Sequence, residues 1–237
     1  MHNRFKEECS RSTAHQQWIH LIQQLHLGEV RSYRKNEHIF HVNGAAHSFY
    51  IVLKGIVISH QIDQEGRQRI RRFFSSGDVF GHNILFSDTY IANAQAIVPS
   101  TMLIVDKQQF LVASATQPQL LAHLYRVLEE THRNLAMHMA DPYYSAETRV
   151  IKYFIRLMKQ FGTLSAEGIT LKLPLTHEML SRYAGTTRVT VTRVLNRLTQ
   201  DHIVRTNPRP WVILNEHSLM ELYESECADQ IRYSSGT

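Results

Sequence analysis

The hydrophobic pattern of this chain changes period near Gln117, and that change limits the folds open to it. Before it, residues 30–112 read as short strands. Ser48–Val52, Ile56–His60 and Met102–Val105 are separated by turn signals at Asn43-Gly44, Lys54-Gly55, Glu65-Gly66, Ser76-Gly77-Asp78 and Phe80-Gly81. Turns at roughly ten-residue spacing predict a β-sandwich or jelly roll. A short amphipathic helix over His15–Leu27, with Trp18, Leu21, Ile22 and Leu25 on one face, precedes the strands.

After Gln117, Leu121, Leu124, Leu128, Thr131, Leu135 and His138 step alternately by three and four residues. Such spacing makes the seam of a two-helix coiled coil, and a helix packed on its own barrel needs a similar stripe. Thr131 and His138 suit a helix–helix seam better than a dry core, so the expectation is a homodimer helix. Asp141-Pro142 ends it, because proline cannot continue the hydrogen-bond ladder.

Beyond Pro142 the pattern is helical again. Val150, Ile151, Phe154, Ile155 and Met158 share one face of a helix over Ala146–Phe161, which Gly162 closes. A short alternating strand over Gly168–Pro174, helices near His177–Ala184 and Arg188–Gln200, and a hairpin near Ile203–Leu214 turning at Asn207-Pro208 follow. The expected class is therefore α+β: residues 1–116 a sensory β-barrel with a short N-terminal helix, 117–141 a dimerisation helix, 142–237 a winged helix-turn-helix.

Charge is informative by location. The net charge is +5, and residues 1–141 hold 14 Lys/Arg against 12 Asp/Glu. Between Arg182 and Arg209 six arginines (182, 188, 193, 197, 205, 209) face one acid, Asp201. That local excess suits a polyanion, although a solvated helix face is the plainer reading of charge alone.

The stretch LTHEMLSRYAGTTRVTVTRVLNRL, Leu175–Leu198, adds geometry. Thr176 can cap the first helix, Gly185 supplies the turn, and Thr187 can cap the second helix. Leu180, Ala184, Val191, Val194, Leu195 and Leu198 form an inner side. Arg188, Val189, Thr192, Arg193 and Asn196 share the outer face of the second helix. An arginine can take guanine O6 and N7 together, and valine can pack on a thymine methyl, so this face suits a major groove. Arg205 and Arg209 in the following hairpin would sit on phosphates as a wing. Double-stranded DNA is the expected partner.

These residues carry a resemblance. In the barrel half, KNEHIF…G…YIVLKG…EG…SGDVFG…LF follows the glycine order of the CRP/FNR superfamily of transcription regulators. GTTRVTVTRVL (185–195) closely resembles the recognition helix of cyanobacterial nitrogen-control regulators of the NtcA type. It is similar, less closely, to that of the chlorophenol-responsive regulators. The likeness runs upstream through 146–162 and 165–178. Membership implies a homodimer on a palindromic promoter site with GT-containing, AT-flanked half-sites, and RNA polymerase as a partner. It implies base- and phosphate-reading roles for Arg188 and Arg193, and a backbone or base-edge contact for Thr192. Val189 stands where many members have a glutamate that accepts from cytosine, so the half-site should differ from theirs.

The sensor is less well specified. The family's cyclic-nucleotide site has a glutamate after the Phe-Gly turn and an Arg-Ser pair farther on; here His82 and Tyr90-Ile91 stand there. Cyclic AMP is therefore not expected, and Tyr90 and Glu130 stand where the NtcA type has 2-oxoglutarate-binding arginines. An iron–sulfur cluster needs four thiolates, and the chain has only Cys9 and Cys227. The candidate effector pocket is Phe80, Gly81, His82, Asn83, Tyr90, Ile91, Thr131 and Leu135. No cofactor is expected; haem on His82 is the alternative among 15 histidines. No metal site is expected either: His38 and His41 should turn to opposite strand faces, a poor chelate.

Arg67, Arg69 and Arg71 alternate along one strand, as a solvated face or as a contact for polymerase or an anionic effector. HExxH, GxxxxGK[ST] and GxGxxG are absent, so an enzyme is not expected. A cyclic-nucleotide-type regulatory module without DNA function, and a regulator working without a ligand, remain as alternatives. Few cysteines, no secretory pattern and no apolar run near the ~18 residues of a membrane span predict a cytoplasmic protein without membrane association.

Overall fold

The computed structural model describes residues 16–85, 87–139 and 141–234, with the side chains of 134, 136–138 and 229–234 outside that set. Cys9 and the side chain of His138, both singled out above, thus lie outside the described residues. The chain divides into two compact units, 1–134 and 135–237.

The first unit opens with helix α1 (residues 16–24). Strands β1 Gly28–Tyr33, β2 His38–Phe40, β3 Ser48–Lys54, β4 Val57–Ile62, β5 Gln68–Phe74 and β6 Val79–Phe80 follow. A 3-10 turn His82–Leu85 leads to β7 Asn93–Ala96 and β8 Ser100–Asp106. The strands form two four-stranded sheets, ordered β1-β8-β3-β6 and β2-β7-β4-β5, antiparallel throughout. Their inner faces share one core with Trp18 and Ile22 of α1. Gly55 lets β3 turn tightly into β4: its φ is +101°, and an added Cβ would lie 2.2 Å from Ser100 Oγ.

Aromatic rings fill the middle of this core. Phe40 stacks on Tyr90 at 3.7 Å between centroids, Tyr50 on Phe80 at 5.2 Å, and Phe74 packs on Phe80 at 5.2 Å. Tyr90 keeps its hydroxyl satisfied by donating to the Ser48 carbonyl at 2.7 Å. Stacked rings gain dispersion and quadrupole attraction beyond area burial.

Helix α2 (Lys107–Thr116) lies partly where strand was expected. Phe110-Leu111-Val112 resembles a strand locally, but Asp106 caps the helix by accepting from the amides of Gln108 and Gln109 at 3.0 and 2.9 Å. Another departure concerns His38 and His41, whose rings stack at 4.6 Å instead of facing apart. Register shifts between His38 and Phe40, so simple alternation fails. Among the described residues no group of three or more His, Cys, Asp or Glu is arranged to hold a metal.

Helix α3 (Pro118–Met139) has two apolar faces offset by one residue. Leu120, His123, Leu124 and Val127 are buried, with Trp18 stacked on His123 at 4.5 Å. Thr131 continues this face, accepting from Arg72 Nη1 at 3.2 Å. Leu121, Tyr125, His132, Leu135 and Met139 are exposed, with Leu128 partly buried between the two faces. The proposed seam of Leu121, Leu124, Leu128, Thr131, Leu135 and His138 is therefore corrected. Leu124 and Thr131 serve the barrel, because two stripes of the same period run side by side and spacing cannot separate them.

In the second unit, a 3-10 turn Asp141–Tyr143 leads into α4 Ala146–Phe161. Asp141 accepts from Lys152 Nζ at 2.7 Å and from the Tyr153 hydroxyl, tying the turn to α4. Hairpin β9 Gly162–Ser165 and β10 Gly168–Leu171, helices α5 His177–Ala184 and α6 Arg188–Gln200, strands β11 Val204–Arg205 and β12 Val212–Ile213, and α7 Glu216–Ser234 complete it. The sheet order is β11-β12-β10-β9. Strand β9 and helix α7 were not foreseen; α4, α5 and α6 match the predicted spans.

Leu120→Ala should cost about 2–5 kcal/mol in a urea melt, because it opens a cavity in the barrel core. Val112→Ala, on the exposed side of α2, should stay within about 0.5 kcal/mol.

Candidate nucleic-acid interface

The outer face of α6 is set by caps and a turn. Thr176 Oγ1 accepts from the Met179 amide at 3.0 Å at the start of α5, and Thr187 Oγ1 accepts from the Thr190 amide at 3.1 Å at the start of α6. Gly185 sits between them at φ +63°, a left-handed conformation that any other residue takes at a cost. Arg149 of α4 holds this turn from outside: Nε donates to the Ala184 carbonyl and Nη2 to the Gly185 carbonyl, both at 3.1 Å. Its Nη1 donates to the Tyr144 carbonyl at 3.0 Å.

The inner side of α6 is closed: Val191, Val194, Leu195 and Leu198 are buried. Its outer side presents Arg188, Val189, Thr192, Arg193, Asn196, Arg197 and Gln200 around a shallow concavity of about 730 Å³. Val189 is 78% exposed, an apolar side chain left in water on the face that carries the arginines. The structure thus brings Arg188, Val189, Thr192, Arg193 and Asn196 together on one surface. Thr176 stands apart from them as a helix cap, and Arg209 is exposed in the turn between β11 and β12.

The cations on this surface are not equivalent. Arg193 Nη2 lies 2.6 Å from Glu147 Oε1; Arg197 lies 3.4 Å from Glu147 Oε2 and 2.7 Å from Glu226 Oε1. Glu226 also accepts from the Thr148 hydroxyl at 2.9 Å. Arg205 is paired with Glu167 at 2.6 Å, which holds the Glu167 carboxyl below its ordinary range. Arg188 and Arg209 make no ion pair among the described residues.

The Arg193 side chain is 69% exposed, so its pairing with Glu147 is worth at most about 1 kcal/mol. A bidentate arginine–guanine contact discriminates by about 1–3 kcal/mol, so DNA can take Arg193 from the carboxylate. Glu147, Arg149, Glu226 and His177, which bonds Thr192, escaped sequence reasoning because their partners lie far away along the chain.

The residues expected around an effector divide. Phe80, Gly81 and Tyr90 come together, with the two rings stacked into the barrel core on Tyr50 and Phe40. His82 has its Nδ1 shut off from solvent with no hydrogen-bond partner among the described residues. Burial, and secondarily the Arg72 charge, push its pKa down to about 4. Asn83 donates to the Thr89 carbonyl at 3.1 Å, Ile91 is exposed, and Thr131 bonds Arg72. Leu135 is exposed and falls in the second unit. Arg72 also approaches Asp78 at 3.8 Å.

Two family models match: the cyclic nucleotide-binding domain over residues 30–116 and the Crp-like helix-turn-helix domain over 148–222. The global nitrogen regulator of Nostoc sp. is 27% identical over 180 residues, 74% of this chain and 80% of that one. The fumarate and nitrate reduction regulatory protein of Vibrio cholerae is 24% identical over 190 residues, 80% of this chain and 76% of the relative. Among solved structures, FixK2 from Bradyrhizobium japonicum superposes with a TM-score of 0.74 at 25% identity, covering 82% of this chain and 96% of that one. CooA from Carboxydothermus hydrogenoformans gives 0.72 at 23% identity, covering 85% and 90%.

Glu147→Gln should free Arg193 and weaken the hold on Arg197. Non-specific DNA affinity should rise by up to about fivefold, measured by anisotropy on a random duplex at fixed salt.

Proposed function

The chain belongs to the CRP/FNR family of DNA-binding transcription regulators, and from that membership we infer that it acts as a homodimer on a palindromic promoter site. The observation that carries this reading is the outer face of α6, where three guanidiniums, an exposed valine and short polar groups share one surface above a closed core. Arg188 and Arg193 take guanine edges or phosphates, and Val189 packs on a thymine methyl. Thr192 and Asn196 supply short hydrogen-bonding groups, while Arg209 holds phosphates from the wing. Thr176 and Thr187 act by capping the two helices that carry this face. A two-fold dimer sets its recognition helices about 34 Å apart, one DNA turn, and so reads an inverted repeat; GT-containing half-sites are what the resemblance to the NtcA type implies.

The dimer surface is the exposed stripe of α3: Leu121, Tyr125, Leu128, His132, Leu135 and Met139, stepping by four and three residues. Leu121, Tyr125, Leu135 and Met139 are all exposed along it, a run of apolar side chains in water that marks an interaction surface. Residues 1–116 form the sensory body, 117–141 the dimer helix and 142–237 the DNA-binding part. RNA polymerase is the expected protein partner, and the exposed Arg69 and Arg71 of β5 offer it a cationic surface; Arg67, which precedes β5, is paired with Asp63 and Glu65 at 2.9 and 2.7 Å. A cytoplasmic location accords with this role; among the described residues no helix is long and apolar enough to cross a membrane.

The relatives' names point to different signals, nitrogen in one and fumarate and nitrate reduction in another, so kinship does not select an effector. One observation favours control without a small ligand. The Phe40–Tyr90 stack occupies the barrel interior, and Arg72 already ties the barrel to α3 through Thr131. An effector acts only through different affinity for two states, so a ligand-independent member would have its active state built in.

Selection from a random duplex library without added effector should return a palindrome with GT-containing half-sites. A pool without enrichment would remove the ligand-independent reading. Leu135→Glu should give monomers on a sizing column while the barrel melts as before; an unchanged dimer would remove the α3 seam.

A further inference from the structure

His177 stands at the first position of α5 but faces the surface built by α6 and the wing. Its Nδ1 lies 2.9 Å from Thr192 Oγ1, and its ring meets the Trp211 ring edge-on at 5.6 Å. Thr192 already gives its hydroxyl proton to the Arg188 carbonyl at 2.9 Å. The hydroxyl can therefore only accept from the imidazole, so Nδ1 carries a proton. In the neutral ring the other nitrogen, Nε2, is left with a lone pair.

The charged groups acting on this ring are Arg188 from α6 and Arg209 from the wing turn; Thr192 and Trp211 are its neutral neighbours. Burial first, and then those two guanidiniums, hold the imidazole below its ordinary range. Arg188 and Arg209 are also the two cations of this surface that no carboxylate neutralises among the described residues. A phosphate arriving between them would reverse the local field. It would cancel the repulsion that keeps His177 neutral and give Nε2 an anion to meet.

We propose that His177 is a further phosphate-contacting residue of the DNA interface and that it takes up a proton when DNA binds. The inference rests on the DNA-binding reading of α6 and the wing. In the free protein His177 positions Thr192 as a neutral donor; in the complex it keeps that bond through Nδ1–H and donates a second, charge-assisted bond from Nε2–H. Proton uptake links affinity to pH with a definite sign. The ring's pKa is below its ordinary value in the free protein and higher in the complex. Affinity therefore rises as pH falls through the bound-state pKa, and levels off below the free-state pKa.

The experiment is anisotropy titration of the selected duplex at fixed ionic strength, from about pH 8.5 to about pH 5.5, where unperturbed histidines change charge. Wild-type affinity should rise on acidification by at most about a hundredfold per pH unit, the limit for two linked protons, one from each protomer of the dimer. H177Q keeps hydrogen-bonding capacity but cannot titrate, and should lose that part of the slope. H177R carries a permanent charge and should bind tightly at high pH with the same flattened profile. Calorimetry in two buffers of different ionisation enthalpy should report proton uptake for the wild type and less for H177Q. Retention of the wild-type slope and proton uptake by both variants would overturn the proposal.

Should the variants fail to fold by circular dichroism, the His177 Cε1–H resonance of the wild type can be titrated with and without duplex. A pKa raised by DNA supports the proposal, and an unchanged or lowered one overturns it. Absence of DNA binding at every pH would remove the DNA reading together with this inference. Binding that ignores pH would remove this inference alone.

Discussion

Arg149 reaches from α4 to donate to the carbonyls of Ala184 and Gly185, and what α6 presents to DNA depends on that hold. The turn between α5 and α6 is short and passes through a left-handed residue, so its last carbonyls point out of the helical ladder. A planar guanidinium with several fixed donors can bind both carbonyls at once and also anchor to the Tyr144 carbonyl. The angle between α5 and α6 is thereby fixed from α4. Thr176 and Thr187, as caps, fix where each helix starts. The recognition side chains then share one face without any bond among themselves being needed to align them.

Around this frame the charges are graded. Glu147 and Glu226 hold Arg193 and Arg197, Glu167 holds Arg205, and Arg188 and Arg209 stand unpaired among the described residues. Pairs as exposed as these are weak, so they shape where the arginines rest without locking them. The unpaired cations give the long-range attraction that any phosphate backbone feels. The held ones are paired weakly enough to exchange their carboxylate for a stronger, bidentate partner. His177 bonds the Thr192 hydroxyl, and burial, then the charges of Arg188 and Arg209, hold its pKa below the ordinary value.

The first unit solves a different problem. Its sheets enclose aromatic rings that stack on one another, and α3 closes the core with Leu120, Leu124 and Val127. Arg72 pairs with Thr131 at the edge of that closure, and the nearby His82 stays neutral for lack of water and beside a cation. Closing the barrel with one stripe of α3 leaves the neighbouring stripe apolar and exposed.

Local patterns in the sequence carried much of this. The turn-punctuated strands, the spans of α4, α5 and α6, the caps at Thr176 and Thr187, and the shared outer face of Arg188, Val189, Thr192, Arg193 and Asn196 follow from spacing and residue chemistry. These signals act over one to three helical turns or across one hairpin, so they are legible without a fold. Helix α7 and strand β9 drew no such reading. Neither did the pairing of Glu147 with Arg193, of Arg149 with the α5–α6 turn, or of His177 with the unpaired arginines. The split of α3 into a barrel face and an exposed face was equally hidden, because two stripes of one period look alike until one of them is covered. What the tertiary structure decided was which of several equivalent groups meet, since partners such as Glu147 and Arg193 become neighbours only when the chain folds.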